Sequence, residues 1–367
     1  MKEGWTYKPF EECLEKLPRT TKVPSSEYKY SGKFPIVSQE EGLISGYWDC
    51  LEDVLKLPHP IVVFGDHTRI VKYVDFDFVI GADGVKVLSP KNFLSAKFLY
   101  YYLWWCKIPS LGYSRHYKLL KELSIPVPPL SEQERIVSEL DLLTEVIDKQ
   151  KAQLKELDTL AQSIFYDMFG DPVLNDKGWE IKKLGEVGTF ERGGNFIKSD
   201  FAESGFPCLH YGQIHTKLGA TTHRHLTCLK EEKVGKAKLA SNGDLIIAIT
   251  SEDVEGSCKC TAWMGDYSIA VGSHIAIYKH NFNPVFISYY FRSNKFNIEK
   301  TKYVHGFKVS EIKPKDIAEI SVPLPPLSLQ QSFADKVSAI EQQKAAIGRS
   351  IAETQQLFDY TMDKYFG

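Results

Sequence analysis

Cysteine and histidine side chains are concentrated in the second half of the chain, where they could bind a metal ion. Zinc in proteins is usually held by four such ligands. The spacings present are Cys-x-His, His-x-His-x-x-Cys and Cys-x-Cys, and none is a usual paired zinc motif. The sequence therefore predicts no metal site. The residues concerned are Cys208, His210, His223, His225, Cys228, Cys258 and Cys260.

We find no familiar catalytic motif in the chain. The nearest approach to the Asn-Pro-Pro-aromatic motif of DNA methyltransferases is Asn283-Pro284-Val285-Phe286, which lacks the second proline. No G-x-G-x-x-G sequence opens a helix, and no Walker A pattern occurs. The sequence thus predicts no catalytic residue and no cofactor in this chain, although a site assembled from distant residues stays open.

Short polar stretches contain side chains that could contact nucleic acid. Base edges are read by donors and acceptors on loops or strand ends, and phosphates are bound by Lys, Arg and hydroxyl groups. In the first half, the candidates for DNA binding are Ser38, Gln39, His67, Thr68, Arg69, Ser114, Arg115, His116, Tyr117 and Lys118. In the second half they are Tyr211, Gln213, His215, Thr216, Lys217, Thr250, Ser251, Glu252, Tyr303, His305 and Lys308.

The chemistry of a few of these side chains suggests what they would read. Arg69 and Arg115 suit guanine or phosphate, Gln213 suits adenine, and Glu252 could accept a hydrogen bond from cytosine. The alternative is that each stretch is an ordinary solvated loop. The net charge of −2 does not decide between the two, because phosphate binding needs a local basic face and not a basic average.

The elements that position these polar stretches belong to an internal repeat of the sequence. Residues 124–133 (SIPVPPLSEQ) recur as 321–330 (SVPLPPLSLQ), identical at seven of ten positions. The same offset of 197 residues aligns Phe169-Gly170 with Phe366-Gly367, while Gly4-Trp5 aligns with Gly178-Trp179 at an offset of 174. The chain thus contains two copies of one unit, the second 23 residues longer before its Pro-rich motif.

Each Pro-rich motif precedes a long helix. The prolines cannot continue a helix from upstream, and Ser131-x-x-Glu134 and Ser328-x-x-Gln331 are predicted capping boxes. Apolar residues then recur at heptad spacing, with Gln150, Lys344, Thr354 and Thr361 as polar exceptions. We expect the two helices to form an antiparallel coiled coil with a domain at each end. The alternative is two unrelated helices docked on their own domains.

These features predict an α+β (mixed α/β) fold with a pseudo-two-fold internal repeat. The expected parts are a first domain (1–125), a first long helix (126–170), a linker (171–177), a second domain (178–322) and a second long helix (323–367). Strands are predicted at 61–64, 76–80, 85–88, 244–249 and 275–278, and helices at 96–106 and 284–297. Residues expected to pack the two long helices or to contact a partner are Pro128, Pro129, Leu130, Glu132, Gln133, Leu140, Leu143, Leu154, Pro325, Pro326, Leu327, Gln330, Ile340, Ile347 and Ile351.

The doubled Pro-x-Pro-Pro-Leu-Ser-x-Gln motif, the Phe-Gly helix ends and the Gly-Trp openings together resemble the specificity subunits of type I restriction-modification systems. The resemblance covers the whole chain. It departs from the family pattern at Leu329, where the first copy has Glu132, and at the polar seam residues of the second helix. These departures bear on how symmetrically the two helices bind partners.

The resemblance implies a non-catalytic, sequence-specific DNA-binding subunit. Each recognition domain would read one half of a bipartite asymmetric site, and the helices would fix the distance between the halves. The implied partners are double-stranded DNA, two modification (methyltransferase) subunits that methylate adenine, and restriction/translocase subunits that cleave DNA. S-adenosylmethionine, ATP and Mg would act on those partner subunits.

Other features agree with this interpretation without requiring it. There is no apolar run of 18 or more residues, so no membrane is expected as a partner. The odd cysteine count of seven is typical of reduced thiols, which favours a cytoplasmic location. Two alternatives remain at this point: a coiled-coil interaction protein with two binding heads and no DNA role, and a nuclease or methyltransferase with a hidden active site.

Overall fold

The computed structural model describes residues 4–112, 114–306 and 309–367 of the chain. It divides into two compact units, Met1–Lys151 with Gly348–Gly367, and Ala152–Ile347. Each unit contains a β-rich domain and one segment from each of two long helices.

The first unit has a mixed α/β domain built on two small sheets. Its strands are β1 (Thr6–Pro9), β2 (Leu14–Glu15), β3 (Lys22–Val23), β4 (Phe34–Val37), β5 (Gly46–Trp48), β6 (Val54–Leu55), β7 (Ile61–Gly65), β8 (Val71–Val74), β9 (Phe78–Gly81), β10 (Val85–Pro90) and β11 (Ser124–Val127). Its helices are α1 (Ala96–Trp105), α2 (Tyr117–Lys121), the first part of α3 (Leu130–Phe169) and the last part of α8 (Leu327–Phe366). The sheet orders are β2-β10-β7-β8 and β3-β9-β4-β5, with β6 also paired to β9.

The second unit has the same plan with longer sheets. Its strands are β12 (Ile181–Lys183), β13 (Gly188–Arg192), β14 (Phe201–Ala202), β15 (Phe206–Leu209), β16 (Thr221–Thr222), β17 (Thr227–Leu229), β18 (Lys238–Ala240), β19 (Leu245–Ala248), β20 (Thr250–Ser251), β21 (Cys260–Trp263), β22 (Ile269–Val271), β23 (Ile275–His280), β24 (Ser310–Glu311) and β25 (Ser321–Pro323). Its helices are α4 (Tyr211–Thr216), α5 (Pro284–Tyr290), α6 (Asn294–Lys300), α7 (Pro314–Ile317), the last part of α3 and the first part of α8 (Leu327–Phe366). The larger sheets have the orders β13-β23-β19-β21-β16 and β14-β17-β15-β22-β18.

The two domains repeat the same strand pairings. In each, a central antiparallel trio contains the strongest predicted strands, β10-β7-β8 in the first and β23-β19-β21 in the second. In each, the second sheet contains an equivalent parallel pair, β4 with β9 and β15 with β22. In each, the strand after the Gly-Trp opening pairs with the strand that leads into the Pro-rich motif, β1 with β11 and β12 with β25. The predicted fold class, α+β with an internal repeat and two long helices, is confirmed.

The segments of the long helices run antiparallel within each unit and pack on its domain. In the second unit, the Phe165 ring of α3 lies 5.6 Å from Phe333 of α8 and 5.8 Å from Phe286 of α5. In the first unit, Arg135 of α3 donates to the Tyr365 hydroxyl of α8 at 3.0 Å. The two helix segments therefore pack on each other and on the domain at once, because one apolar core in each unit contains residues of α3, of α8 and of the domain.

Polar residues in the heptad seam have partners on the opposite helix. Gln150 donates to the Ser350 hydroxyl at 2.7 Å, and the Lys344 ammonium lies 2.7 Å from the Asp158 carboxylate. Thr361, which looked like an interruption, is buried. Paired polar groups of this kind can fix the register of a helix pair at a cost in stability, so the weak second seam is no obstacle to antiparallel packing.

One buried glutamine joins each long helix to its own domain. Gln133 accepts from the Ser95 N–H at 2.7 Å and donates to the Phe93 and Pro128 carbonyls at 2.9 and 2.8 Å. Its repeat partner Gln330 accepts from the Asn283 N–H at 2.8 Å and donates to the Pro325 carbonyl at 2.8 Å. Since Ser95 and Asn283 cap the short helices α1 and α5, the glutamine ties the start of a long helix to the start of a short one.

We predict that Gln133→Ala lowers the free energy of unfolding by about 2 kcal/mol, because one buried N–H and two carbonyls lose their partner. A urea titration followed by circular dichroism measures this. Gln356→Ala, at an exposed position of α8 in the same unit, is the control and should change stability by less than about 0.5 kcal/mol. A Gln133→Ala protein as stable as the control would contradict this role.

Three predicted helix boundaries are wrong. The long helices begin at Leu130 and Leu327, so Ser131 and Ser328 lie inside the first turn and do not cap. The reason is that the Pro129 and Pro326 carbonyls already accept the first helical hydrogen bonds. The helix predicted at 284–297 is two helices, since Ser293 caps a new one with its hydroxyl.

The five strands predicted from the sequence are present, with ends that shift by one to two residues. None of the helices in the described part of the chain combines the length and the apolar composition needed to cross a bilayer.

Candidate nucleic-acid interface

In the first domain, two of the predicted polar stretches meet where neighbouring strands end. Gln39 follows β4, and His67 and Thr68 follow β7. The Thr68 hydroxyl donates to the Gln39 carbonyl at 2.7 Å, and the His67 N–H donates to the Gln39 side-chain oxygen at 3.2 Å. The two loops therefore form one surface.

The third predicted stretch of the first domain joins the same surface through Asp66 and His116. The buried Asp66 carboxylate accepts from the Tyr117 N–H at 2.7 Å. His116 Nδ1 donates to the Asp66 carbonyl at 2.8 Å, and Nε2 accepts from the Leu111 N–H at 2.8 Å. These contacts assign the neutral Nδ1–H tautomer and hold residues 114–118 beside residues 66–69.

Glycine is required where these loops touch. A Cβ on Gly65 would lie 2.2 Å from the Thr68 hydroxyl oxygen and 2.9 Å from the Gln39 Cβ. Gly84, at φ +75°, would place a Cβ 2.7 Å from the Gln39 side-chain oxygen. Any larger residue would push the loops apart.

The second domain brings its predicted stretches together at the equivalent strand ends. His215, on the helix that follows β15, has its Nε2 3.0 Å from the Thr250 carbonyl just beyond β19. Thr250 and Ser251 in turn pair with β24, and the Glu311 carbonyl of β24 accepts from the His305 N–H at 2.9 Å. Residues 211–217, 250–252 and 303–305 are thus neighbours, as their counterparts are in the first domain.

A cavity of about 810 Å³ opens between these stretches in the second domain. One side has the rings of Tyr211 and His274, whose centres are 5.1 Å apart. Carboxylate side chains line it as well, together with one ammonium group. The charged residues that line it are Glu252, Asp253, Glu255 and Lys259.

A buried lysine fixes a loop of this surface in each domain. Lys72 donates to the Ser38 and Gly42 carbonyls at 2.8 and 2.5 Å. Lys300 donates to the Glu255 and Ser257 carbonyls at 2.8 and 2.7 Å. Burial lowers the pKa of both ammonium groups. The sequence did not reveal either residue, because a lysine in a strand or a short helix is ordinarily solvent-exposed.

Most of the predicted DNA-binding side chains are accessible. The exposed ones are His67, Thr68, Arg69, Ser114, Arg115, Lys118, Tyr211, Thr216, Lys217, Glu252 and His305. Those that are partly exposed are Gln39, Tyr117, His215, Ser251 and Tyr303. Arg69 has a left-handed backbone, with φ at 64°, and its guanidinium donates to the Ile108 carbonyl at 3.0 Å. Lys308 lies outside the described residues.

Four of the predicted DNA-binding side chains are buried in the described structure, so they do not face solvent in the way that the sequence suggested. They are Ser38, His116, Gln213 and Thr250. Gln213 illustrates the reason: its amide donates to the Thr227 hydroxyl and its oxygen accepts from the His210 N–H at 3.2 Å. Such groups support the surface from the protein interior. A polar residue type in the sequence does not show whether its side chain is buried or faces solvent.

The residues predicted to pack the spacer or contact a partner fall into two groups. Those buried in the described structure are Pro128, Gln133, Leu140, Pro325, Gln330 and Ile340, so they cannot reach a partner. Partly exposed are Glu132, Leu143, Leu154, Ile347 and Ile351. Pro129, Leu130, Pro326 and Leu327 are exposed, and the two leucines occupy the same position in the repeat.

The described residues contain no group of three or more His, Cys, Asp or Glu side chains arranged to hold a metal ion. Cys208, Cys228, Cys258 and Cys260 are buried free thiols. Burial raises the pKa of the Cys208 thiol to about 12. A thiol of that kind stays protonated and is a poor metal ligand.

The chain matches known proteins along most of its length. The family model for the type I restriction modification DNA specificity domain matches residues 2–159 and 176–354. The type I restriction enzyme EcoR124I/EcoR124II specificity subunit of Escherichia coli is 22% identical over 379 residues, covering 96% of this chain and 92% of that protein. The MjaVIII specificity subunit of Methanocaldococcus jannaschii is 24% identical over 242 residues, or 61% of this chain, and the match spans only 56% of that relative's length.

Two solved structures have a similar fold. One is a chain from work on complex assembly and conformational transition of the type I R-M system, with a TM-score of 0.58, 20% identity, and coverage of 100% of this chain and 98% of that one. The other is the type I restriction-modification S subunit from M. genitalium, with a TM-score of 0.55, 16% identity, and coverage of 99% and 96%. At these identities the likeness concerns the fold.

Proposed function

We propose a function from one established premise: this chain belongs to the type I restriction-modification DNA specificity family. Specificity subunits recognise DNA sequence and are not themselves catalytic. We infer further that each domain reads one half of a bipartite, asymmetric site. The observation that carries this proposal is the convergence of three separate polar stretches at the equivalent strand ends of both domains.

The exposed side chains of these surfaces have the chemistry that DNA binding needs. Arg69, Arg115 and Lys118 supply cations in the first domain, and Lys217 supplies one in the second. Cations and hydroxyls bind phosphates and set orientation, while the amide and carboxylate groups suit base edges. The surfaces rest on strand ends and buried lysines, so their groups are held in place before binding.

We infer that the helices set the number of base pairs between the half-sites and bind the partner subunits. Leu130 and Leu327 are exposed at the same position of the two repeats, which favours two copies of one partner, the modification subunit. Adenine methylation with S-adenosylmethionine would take place on those subunits. ATP and Mg would act on the restriction/translocase subunits, and the complex would work in the cytoplasm.

Comparing adenine methylation in cells with and without this gene tests the proposal. We expect one split, asymmetric methylated motif to disappear when the gene is removed. Replacing residues 1–122 by the same region of another family member should change one half of that motif and leave the other half as it was. The exchange keeps β11 and the long helices of this chain.

The contrary outcomes are specific. An unchanged methylome without the gene would reject the proposal, and an exchange that alters both halves would reject the assignment of one half to each domain. In vitro, affinity for duplex DNA should fall by several orders of magnitude between about 50 and 200 mM salt. Binding that is absent, or insensitive to salt, would favour an interaction protein with no DNA role.

A further inference from the structure

The charged side chains that line the cavity of the second domain are mainly acidic, and these are not suited to binding DNA phosphates. Three carboxylates and one ammonium line it, so acidic side chains outnumber lysine and arginine there. A carboxylate beside a DNA phosphate is repelled. If this surface binds DNA, these groups must face something other than the backbone, and the base edges offer hydrogen-bond donors only in the amino groups of cytosine and adenine in the major groove.

Two carboxylates of this set, those of Glu255 and Glu252, have no hydrogen bond or ion pair among the described residues, and Glu252 is the one that directly follows the strand β20. Glu252 is exposed. Asp253 is already engaged, because its carboxylate accepts from the Gly256 N–H at 2.5 Å and closes the turn.

The position of Glu252 is fixed from both sides. The preceding residue, Ser251, pairs with Ser310 of β24. The following segment is held by Lys300 through the Glu255 and Ser257 carbonyls. A carboxylate on a segment held in this way loses little conformational entropy when it binds a base. A side chain that is positioned before binding is suited to discriminate between similar bases.

Two further features of the cavity point to a ligand. Thr250, only 6% exposed, lines it with a hydroxyl that has no hydrogen-bond partner among the described residues. Buried hydroxyls in that state are uncommon in folded proteins. The rings of Tyr211 and His274 give the cavity an aromatic side against which a flat base edge or ring can pack.

We propose that Glu252 is a specificity-determining residue of the second domain, and that it accepts a hydrogen bond from the exocyclic amino group of a cytosine or adenine placed at this cavity. The inference rests on the proposed DNA-reading function and deepens it. The first domain has the opposite polarity at the equivalent strand end, where His67, Thr68 and Arg69 follow β7. The two domains therefore select bases by different chemistry, one mainly with donors and the other with an acceptor.

The test uses the purified full-length chain and duplex DNA that contains a random segment. Bound duplexes are sequenced for the wild type, for Glu252→Ala and for Glu232→Ala, which removes the same carboxylate at an exposed position elsewhere in the unit. The wild type should prefer adenine or cytosine at one position of one half-site. Glu252→Ala should reduce that preference by about 10- to 100-fold at this position alone, because alanine has no acceptor for the amino group. Its affinity for unrelated duplex should not fall, because a negative charge is lost.

The outcomes separate this inference from the function on which it rests. A wild type that selects no motif would overturn both. A wild type that selects a motif which Glu252→Ala leaves unchanged would overturn the inference alone. So would a loss of preference spread evenly over the half-site, since that result indicates a structural role. Glu232→Ala is expected to select the wild-type motif.

Discussion

The Phe165→Ala variant is expected to lose about 3–5 kcal/mol of unfolding free energy, the largest effect that we expect from a single substitution here. Phe165 is fully buried in the second unit. Its ring contacts the Phe169, Phe286 and Phe333 rings at centre distances of 5.1, 5.8 and 5.6 Å. The substitution therefore leaves a cavity at the point where α3, α5 and α8 meet. Urea titration, followed by circular dichroism, measures the loss.

Leu160→Ala provides the matched control on the same helix. Leu160 is 47% exposed, so its truncation should change the unfolding free energy by less than about 0.5 kcal/mol. Equal losses for the two variants would mean that helix propensity, and not packing between the helices and the domain, sets the stability of this region.

His280 is expected to make the protein less stable as the pH is lowered from 6.5 towards 4. Its ring lies between the Tyr278 and Phe282 rings, with centre distances of 5.0 and 5.9 Å. Burial lowers the pKa of His280 from 6.5 to about 4, against a smaller opposing effect of the Phe282 backbone. Above pH 6.5 the imidazole is neutral in both states and has no effect. Below it, only the unfolded chain takes up the proton, so the folded state loses about 3 kcal/mol by pH 4.

His280→Leu isolates this contribution. The variant should show a shallower decline of unfolding free energy between pH 6.5 and 4, measured from urea midpoints at several pH values. His210 contributes in the same direction, because burial and then Lys217 lower its pKa, and that part of the decline should remain in the variant. Identical pH profiles for the two proteins would refute the role of His280.

The sequence predicted the features that repeat over many residues. The heptads and the duplicated Pro-rich motif predicted two long helices and an internal repeat, because the apolar period and the prolines act locally and over a long stretch. The central strands were predicted for the same reason, since 61–65 and 245–248 are continuous apolar runs buried on both faces.

The surface could be predicted only in part, because burial depends on distant residues. His116 lies in a loop and Gln213 in the short helix α4, yet each is buried and forms a hydrogen bond to a distant segment, His116 to Asp66 and Gln213 to Thr227. Lys72 and Lys300 have a residue type that is usually solvated, but both are buried and hold loops of the surface in place by hydrogen bonds to backbone carbonyls. His274 was missed because its loop becomes part of the cavity only through the pairing of β15 with β22. No local pattern in the sequence encodes these contacts.

The glutamines at the start of the long helices bind only backbone atoms of the domains that they hold. Gln133 contacts the N–H of residue 95 and the carbonyl of residue 93, and Gln330 contacts the N–H of residue 283. A joint made this way does not depend on which side chains the domain has. Homologous recombination can then replace a domain as a cassette, and mutation can alter its loops freely, while the attachment to the helix is inherited unchanged.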